Sequence, residues 1–228
     1  MIFGGLLKLT LLDYPNHMAC TVFTNGCNMR CPFCHNAHLV TQIDQQIDQQ
    51  EVLDLLQKRK GVLEGICISG GEPLMQKDVV EFVTKVKQMG YKVKLDTNGT
   101  SYDKLRYLID NKLVDYVAMD VKNSKALYNV TCGCEVDLDI VCKCVDLLLL
   151  GKVDYEFRTT LCHPLHDSDS IKDMAEWLKD AKHWYLQQFV DSGNLVGEGV
   201  SQLDKETMEN LHRVAVAICP TAQLRGVK

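Results

Sequence analysis

The segment Ala19-Cys-Thr-Val-Phe-Thr-Asn-Gly-Cys27-Asn-Met-Arg-Cys31-Pro-Phe-Cys34 decides the fold. Its first six residues are apolar or β-branched and stop at Asn25-Gly26, which predicts a buried strand that ends in a turn. Three cysteines then follow within eight residues. Ligands of parallel α/β sheets bind beyond the carboxyl ends of the strands. The segment therefore predicts a strand of such a sheet with a metal-binding or redox loop at its carboxyl end.

The rest of the chain repeats the same strand type and separates the strands by helices. The further predicted strands are Ile66–Ser69, Lys92–Asp96, Val114–Val121, Tyr155–Leu161 and His183–Phe189. Apolar residues at helical spacing predict helices at Gln50–Arg59, Lys77–Met89, Tyr102–Asn111, Asp137–Leu150, Ser170–Ala181 and Asp204–Ile218. Six such βα units predict an α/β protein with a parallel sheet. No repeat or linker divides the chain, and Gln42–Gln50 is expected to be a surface loop or helix start.

Composition narrows the function classes. The chain has 228 residues, of which 46% are hydrophobic, and its net charge is -5. This balance argues against a nucleic-acid-binding protein, which needs a basic face. No apolar run reaches the roughly 20 residues that span a bilayer, and no signal peptide is evident, so a cytoplasmic protein is expected. An odd count of 11 cysteines favours metal or redox chemistry over a disulfide framework.

The three cysteines of the loop have the spacing C-x3-C-x2-C, at Cys27, Cys31 and Cys34. Soft thiolates suit iron–sulfur clusters or zinc. Structural zinc sites use four ligands, and His35 is the available fourth ligand in that alternative. On a four-iron cluster, three cysteines would leave one iron free to bind a substrate or cofactor.

This spacing, with Phe33 before the last cysteine and Gly70-Gly71-Glu72-Pro73 farther on, resembles the radical S-adenosylmethionine (SAM) superfamily. Finer motifs resemble the anaerobic ribonucleoside-triphosphate reductase activating proteins, although pyruvate formate-lyase activating enzymes share much of that pattern. Those motifs are Leu9-Thr-Leu-Leu-Asp-Tyr-Pro15, Leu95-Asp-Thr-Asn-Gly99, Met119-Asp-Val-Lys122, Tyr155-Glu-Phe-Arg-Thr-Thr160 and Leu224-Arg-Gly226. The resemblance implies a partial (β/α)6, TIM-like barrel that is open on one side and forms a single radical SAM domain over residues 1–228.

The resemblance also implies two cofactors. Cys27, Cys31 and Cys34 would hold a [4Fe–4S] cluster whose free iron binds SAM. An electron from the cluster would cleave SAM to methionine and a 5′-deoxyadenosyl radical, and no further catalytic residue is expected. Contacts to SAM are expected from the residues that match the family's motifs, which are Phe33, Gly70, Gly71, Glu72, Asp96, Asn98, Asp120, Lys122 and Arg158.

Strand alternation gives these assignments a physical basis. Asp120 and Lys122 are two apart and so share a face of their strand, as do Arg158 and Thr160. Gln187 is a further candidate for the inner face of the sixth strand. Ordinary turns at the glycine pair and after Asp96, and a purely structural Asp–Lys pair, remain open alternatives.

The partner implied by the resemblance is a glycyl radical protein, the large subunit of an anaerobic ribonucleotide reductase, with a flavodoxin- or ferredoxin-type electron donor. One alternative is an activase of another glycyl radical enzyme, or a small-molecule enzyme of the 7-carboxy-7-deazaguanine synthase type. Another is a binding module that carries zinc or a cluster without catalysing a reaction.

The remaining cysteines and loops fall outside the motifs. Cys132, Cys134, Cys142 and Cys144 form C-x-C-x7-C-x-C, for which core packing and a second metal site are the two interpretations. Isolated cysteines in apolar runs are interpreted as small core residues, and they are Cys20, Cys67, Cys162 and Cys219. Gly193–Gly199 is expected to be a surface loop rather than a phosphate loop, and His163 and His166 are expected to be exposed.

Overall fold

The computed structural model describes residues 1–40, 46–191 and 193–227. Nine strands form one sheet: β1 (Ile2–Thr10), β2 (Ala19–Thr24), β3 (Ile47–Asp48), β4 (Gly65–Gly70), β5 (Lys92–Thr97), β6 (Tyr116–Asp120), β7 (Asp154–Leu161), β8 (Trp184–Gln188) and β9 (Ala222–Arg225). The helices are α1 (Ala37–Val40), α2 (Gln49–Lys58), α3 (Val79–Gln88), α4 (Tyr102–Asp110), α5 (Tyr128–Cys132), α6 (Leu138–Leu149), α7 (Ser168–Trp177) and α8 (Lys205–Val216). Short 3-10 turns span Pro73–Met75 and Lys125–Leu127.

The strand order is β3-β1-β2-β4-β5-β6-β7-β8-β9. All six predicted strands are present, each next to its sequence neighbour and parallel to it. A seventh parallel strand, β9, extends one edge, and the antiparallel strands β1 and β3 extend the other. Within the described residues, β3 and β9 do not pair with each other. The sheet is therefore a partial barrel that stays open, as expected.

Alternation along the strands separates an apolar layer from a polar interior. On β5, Val93 and Leu95 are fully buried beneath the helices, whereas Lys94 and Asp96 point to the concave face and pair with each other. Helices bury the complementary apolar stripe, as α3 does with Phe82. The hydrophobic effect thus stabilises the layer between the sheet and the helices, and charged residues lie on the concave face of the sheet.

All six predicted helices are present, with modest shifts of their ends. The largest shift is at α7, which ends at Trp177 rather than Ala181. Its N-cap is Asp167, whose carboxylate accepts the Ser170 N–H at 2.8 Å. Of the predicted segment Gln42–Gln50, residues 42–45 lie outside the described residues, and the rest leads into α2. Within the described residues, no helix combines the length and the apolarity that a bilayer crossing requires.

Candidate functional site

A cavity of about 670 Å³ lies at the carboxyl ends of the parallel strands. All of the predicted site residues line it: Cys27, Cys31, Phe33, Cys34, Gly70, Gly71, Glu72, Asp96, Asn98, Asp120, Lys122 and Arg158. The strand ends that were predicted to carry chemistry therefore meet in one place. Their roles toward a cofactor remain predictions.

The cluster loop, residues 26–36, forms one wall of this cavity. Cys31 is 5% exposed, and Cys27 and Cys34 are partly buried. A turn closes between the last two cysteines, because the Cys34 N–H donates to the Cys31 carbonyl at 3.0 Å. The Asn98 amide lies 3.9 Å from the Cys27 sulfur, which connects the loop to the end of β5.

The three thiols differ in their surroundings. Burial raises the pKa of Cys27 to about 11 and also raises the pKa of Cys34. A hydrogen bond with Cys132 lowers the pKa of Cys31 to about 7. Lys122 lowers the pKa of all three, so its charge favours thiolates in this loop.

The donor set fits an iron–sulfur cluster with three protein ligands. No group of three or more His, Cys, Asp or Glu residues in the described part of the chain is arranged to hold a single metal ion. Cys27, Cys31 and Cys34 all line the same cavity, and such soft thiolates are the donors that an iron–sulfur cluster would take. His35 lines the cavity, and burial lowers its pKa, so it is neutral at physiological pH.

The glycine pair after β4 is required by close backbone contacts. A Cβ on Gly70, where φ is +115°, would lie 2.3 Å from the Thr24 nitrogen. A Cβ on Gly71 would lie 1.9 Å from the Gly26 carbonyl oxygen, which accepts the Glu72 N–H at 2.8 Å. The pair therefore lets the β4 turn pack directly against the start of the cluster loop, while still lining the cavity.

Glu72 is 1% exposed, and its carboxylate is engaged within the protein. Oε1 accepts from the Leu74 N–H at 3.0 Å and the Thr97 hydroxyl at 2.8 Å, and Oε2 accepts the Asn98 N–H at 2.7 Å. Burial raises the pKa of Glu72 to about 7, although these hydrogen bonds lower it. Glu72 thus fixes the end of β5 and, through it, the position of Asn98.

A chain of alternating charges crosses the concave face. Lys94 pairs with Asp96, Asp96 with Arg158 at 3.2 Å, Arg158 with Asp120 at 2.8 Å, and Asp120 with Lys122 at 3.0 Å. The network holds three cations and two carboxylates. Lys122 stands at one end of this network and lines the cavity, where its ammonium group suits a carboxylate-bearing ligand.

These pairings control protonation. Burial alone would raise the pKa of Asp120, but the charges of Arg158 and Lys122 outweigh it and hold that pKa far below its usual range. Burial would likewise lower the pKa of Lys122, but Asp120 and Cys31 raise it. Both residues are therefore ionised at physiological pH, in an Asp–Lys pair that faces the cavity.

Several side chains join the site beyond the predicted set. Thr160 and Gln187 line the cavity, as strand alternation suggested. Asp13 also lines it, and its carboxylate accepts the Thr21 hydroxyl at 2.5 Å. Asp13 belongs to the quoted Leu9–Pro15 motif, but only the fold of β1 back onto β2 brings it inside the sheet.

The loop Gly193–Gly199 lies at the surface, as expected, and packs closely on the cluster loop. The Val196 N–H donates to the Cys34 carbonyl and the Gly197 N–H to the Pro32 carbonyl, each at 3.1 Å. A Cβ on Gly197 would lie 2.8 Å from Pro32. Nothing in the local sequence signals this contact, which joins segments more than 150 residues apart.

The expectation that His166 is exposed is wrong. It is 5% exposed, and its Nε2 bonds the Lys122 carbonyl at 2.9 Å. The carbonyl that follows β6 needs a buried partner, and His166 supplies it. His163 is exposed, as expected.

The eight cysteines outside the motif fall into three groups. Cys20, Cys67, Cys162 and Cys219 are fully buried, as predicted. Cys142 is partly exposed while Cys144 is buried, so they point different ways on α6. Cys132 and Cys134 instead contact the cluster loop, which the sequence did not reveal.

The sequence of this chain is similar to those of known proteins. A model of the Radical SAM superfamily matches residues 21–181. A protein of Methanocaldococcus jannaschii named as a glycyl-radical enzyme activating enzyme is 36% identical over 196 residues, covering 82% of this chain and 80% of the relative. The 7-carboxy-7-deazaguanine synthase of Thermoplasma acidophilum is 36% identical over 135 residues, covering 59% of this chain and 56% of that protein.

Solved structures show the same fold. The crystal structure of Streptococcus suis SuiB bound to the precursor peptide SuiA has a TM-score of 0.71 and 15% identity, and covers 90% of this chain and 48% of that one. At this identity the likeness concerns the fold alone. With the family match over residues 21–181 and the cysteine loop in place, the chain is an enzyme of the radical SAM superfamily, which uses a [4Fe–4S] cluster and SAM.

Proposed function

We propose that this enzyme installs a glycyl radical on an anaerobic ribonucleoside-triphosphate reductase. The relative named as a glycyl-radical enzyme activating enzyme supports an activase, since its similarity extends over 80% of its length. The finer motifs that run from Leu9 to Gly226 favour the reductase as the partner. A flavodoxin or ferredoxin is the electron donor in this proposal, and the reaction belongs in the cytoplasm.

The observation that carries the proposal is a cavity at the carboxyl ends of the parallel strands of an open sheet, with one wall at the surface. Asp13 and Val40 line it near β1, and Gln188 and Val190 line it after β8. Val190 is 61% exposed, so the far wall reaches solvent. A cavity that is open to solvent at this wall can admit a loop of another protein, which an activase requires.

The cavity residues have distinct tasks in this proposal. When bound at Cys27, Cys31 and Cys34, a reduced [4Fe–4S] cluster supplies the electron that cleaves SAM into methionine and a 5′-deoxyadenosyl radical. Lys122 offers a permanent cation to the methionyl carboxylate, and Arg158 keeps Asp120 ionised beside it. Buried walls exclude the water that would otherwise compete for polar contacts.

The test is electron paramagnetic resonance under anaerobic conditions. The reconstituted, reduced enzyme is mixed with SAM and the reductase, and a glycyl radical signal on the reductase is the expected result. A Cys34→Ala variant is the negative control, and Cys219→Ala, which alters a buried cysteine far from the loop, should behave as wild type. A radical on pyruvate formate-lyase but none on the reductase would contradict the choice of partner.

A small-molecule reaction of the 7-carboxy-7-deazaguanine synthase type is the second candidate. The 36% identity to that synthase over 135 residues favours it, and a cavity of about 670 Å³ is within the range of small-ligand sites. SAM-dependent conversion of a small heterocycle without any partner protein would favour this candidate over the activase.

A further inference from the structure

Three residues on neighbouring strands stand in one row across the sheet. Thr160 on β7 is the register partner of Gln187 on β8, and Gln187 is the register partner of Arg225 on β9. Thr160 and Gln187 both line the cavity, and they stand side by side there because neighbouring strands lie about 4.8 Å apart. Val190, which also lines the cavity and is exposed, follows β8. This wall is therefore close to the opening of the cavity.

The Arg225 guanidinium is held in a fixed position beside Gln187. Its Nη1 and Nη2 donate to the two carboxylate oxygens of Glu156, each at 3.0 Å. Glu156 is 2% exposed, and its Oε2 also accepts the Tyr116 hydroxyl at 3.0 Å. The guanidinium carbon lies 3.5 Å from the ring centroid of Tyr185. The paired hydrogen bonds and the ring contact together restrict the guanidinium to one orientation.

This guanidinium fixes the side-chain amide of Gln187. Arg225 Nη1 donates to Gln187 Oε1 at 3.3 Å. A guanidinium has donors only, so the amide turns its oxygen toward Arg225 and its NH2 group away from it. Within the described residues, that NH2 group donates to no acceptor, and it is not a sealed, unpaired group. Since Gln187 lines the cavity, its NH2 group is available there as a donor.

The Thr160 hydroxyl beside it is also available. Thr160 is partly buried, and in the described part of the chain its hydroxyl has no hydrogen-bond partner. A threonine hydroxyl can accept as well as donate. Thr160 and Gln187 thus place an acceptor and a donor next to each other. They complement the N–H and C=O of one extended residue, because these two groups point to the same side of the chain.

We propose that Gln187 and Thr160 bind the main chain of the target glycine in the partner protein, and that Arg225 is the positioning residue that orients Gln187. The Gln187 NH2 group donates to the glycine carbonyl oxygen, and the Thr160 hydroxyl accepts the glycine N–H. Glycine has no side chain, so an enzyme that selects it must hold it through the backbone. This inference rests on the proposed function, because a glycine loop is the substrate only of an activase.

The test is anaerobic isothermal titration calorimetry of the reconstituted full-length enzyme with SAM and without a reductant, so that no radical forms. The first probe is a synthetic peptide of the reductase that contains the glycine. The second replaces both amide bonds of that glycine by esters, which removes its N–H and weakens its carbonyl as an acceptor. The variants are Gln187→Leu, Gln187→Glu, Thr160→Val, Arg225→Lys and the double variant Gln187→Leu with Arg225→Lys. Gln57→Leu, on the exposed side of α2, is the control.

Gln187→Leu should bind the amide peptide about tenfold more weakly, because it leaves the peptide carbonyl unpaired in the cavity. Gln187→Glu should lose as much, since it keeps an oxygen toward Arg225 but lacks the NH2 group. Thr160→Val should also weaken binding, and Gln57→Leu should not. The wild type should bind the ester peptide more weakly than the amide peptide, and Gln187→Leu should distinguish the two peptides less.

The double variant tests the role of Arg225. Arg225→Lys should weaken binding on its own but add little to Gln187→Leu, because Arg225 acts through Gln187. A purely structural role would weaken both backgrounds equally and would overturn the assignment of Arg225. If Arg225→Lys fails to fold, the variants of Gln187 and Thr160 decide.

Two results would overturn the inference as a whole. Wild-type affinity in both Gln187 variants would show that this side chain does not contact the peptide. Equal affinity of the wild type for the amide and ester peptides would show that the glycine backbone is not recognised. By contrast, a wild-type enzyme that binds neither the amide peptide nor the whole reductase would remove the proposed function itself, so the two failures are distinguishable.

Discussion

Asp120 and Arg158 are register partners on β6 and β7, and Arg158 Nε donates to Asp120 Oδ1 at 2.8 Å on the concave face. This pair is the middle of the charge chain that crosses the cavity floor. Because each buried charge there is matched by neighbours, the site can present Lys122 as a fixed cation. The same arrangement makes this network of ion pairs sensitive to the loss of any one of its charged residues.

Replacing Arg158 should destabilise the fold strongly. Arg158→Met leaves Asp96 and Asp120 buried with fewer cations, and uncompensated buried charges cost about 3–5 kcal/mol. The exposed pair of Lys152 and Asp110, 3.2 Å apart, is the control, and Lys152→Met should cost less than about 1 kcal/mol. Urea unfolding of the full-length chain measures both. Equal losses in the two variants would contradict the account of the charge chain.

Glu72 should give the stability a distinctive pH dependence. Its pKa is raised to about 7 by burial, compared with about 4.3 in an unfolded chain. In this range the folded chain binds more protons than the unfolded chain. The contribution of Glu72 to the free energy of unfolding is therefore complete below about pH 4 and is lost as the pH rises toward about 7.

Urea titrations of the full-length chain between about pH 4 and about pH 7 measure this effect. The free energy of unfolding should fall less over this range in Glu72→Gln than in the wild type. Glu176→Gln, on the surface of α7, should keep the wild-type slope. An unchanged slope in Glu72→Gln would show that the carboxyl titrates normally.

Gly71 should be irreplaceable for cluster loading. In Gly71→Ala the new Cβ would meet the Gly26 carbonyl 1.9 Å away, so the cluster loop must move. Iron content after anaerobic reconstitution should fall to a small fraction of wild type. Gly61→Ala is the control, because no atom lies within 4 Å and only its φ of +83° adds strain, about 1–2 kcal/mol. Full loading of Gly71→Ala would contradict the close packing of this turn.

The strap formed by the Gly193–Gly199 loop should protect the cluster. Gly197→Val forces a side chain against Pro32, 2.8 Å from the Cβ position, and so separates the strap from the cluster loop. The expected result is several-fold faster loss of iron–sulfur absorbance on exposure to air. Gly199→Ala, where nothing lies within 4 Å and only the φ of +78° adds strain, is the control. Equal rates in the two variants would mean that the strap gives no protection.

Much of the fold was predictable because each strand signal was local. The run Ala19–Thr24 matches β2 residue for residue. The other five predicted strands differ only at their ends, whereas the parallel strand β9 was not predicted. The antiparallel strand β1 was missed, since its paired glycines Gly4-Gly5 and uneven burial do not alternate. Helix α5 has five residues, too few for a periodic signal.

The site was predictable in its members but not in its contacts. All twelve residues that the motifs predicted line one cavity. Sequence alone did not show that the Cys132 carbonyl accepts the Arg30 N–H or that the buried His166 bonds the Lys122 carbonyl, because those contacts depend on how distant loops pack. The charged residues of the concave face were predictable in part. Strand alternation predicted that Asp120 and Arg158 lie on the inner faces of their strands, but the register between the strands, which pairs them, was not predictable.

The central claim is tested most directly by measuring 5′-deoxyadenosine from SAM after anaerobic reconstitution with iron and sulfide and chemical reduction. Wild type and Cys20→Ala should both produce it, and Cys31→Ala should produce none. A chain that carries a complete four-iron cluster yet yields no 5′-deoxyadenosine, even with the glycyl radical partner present, would contradict the account.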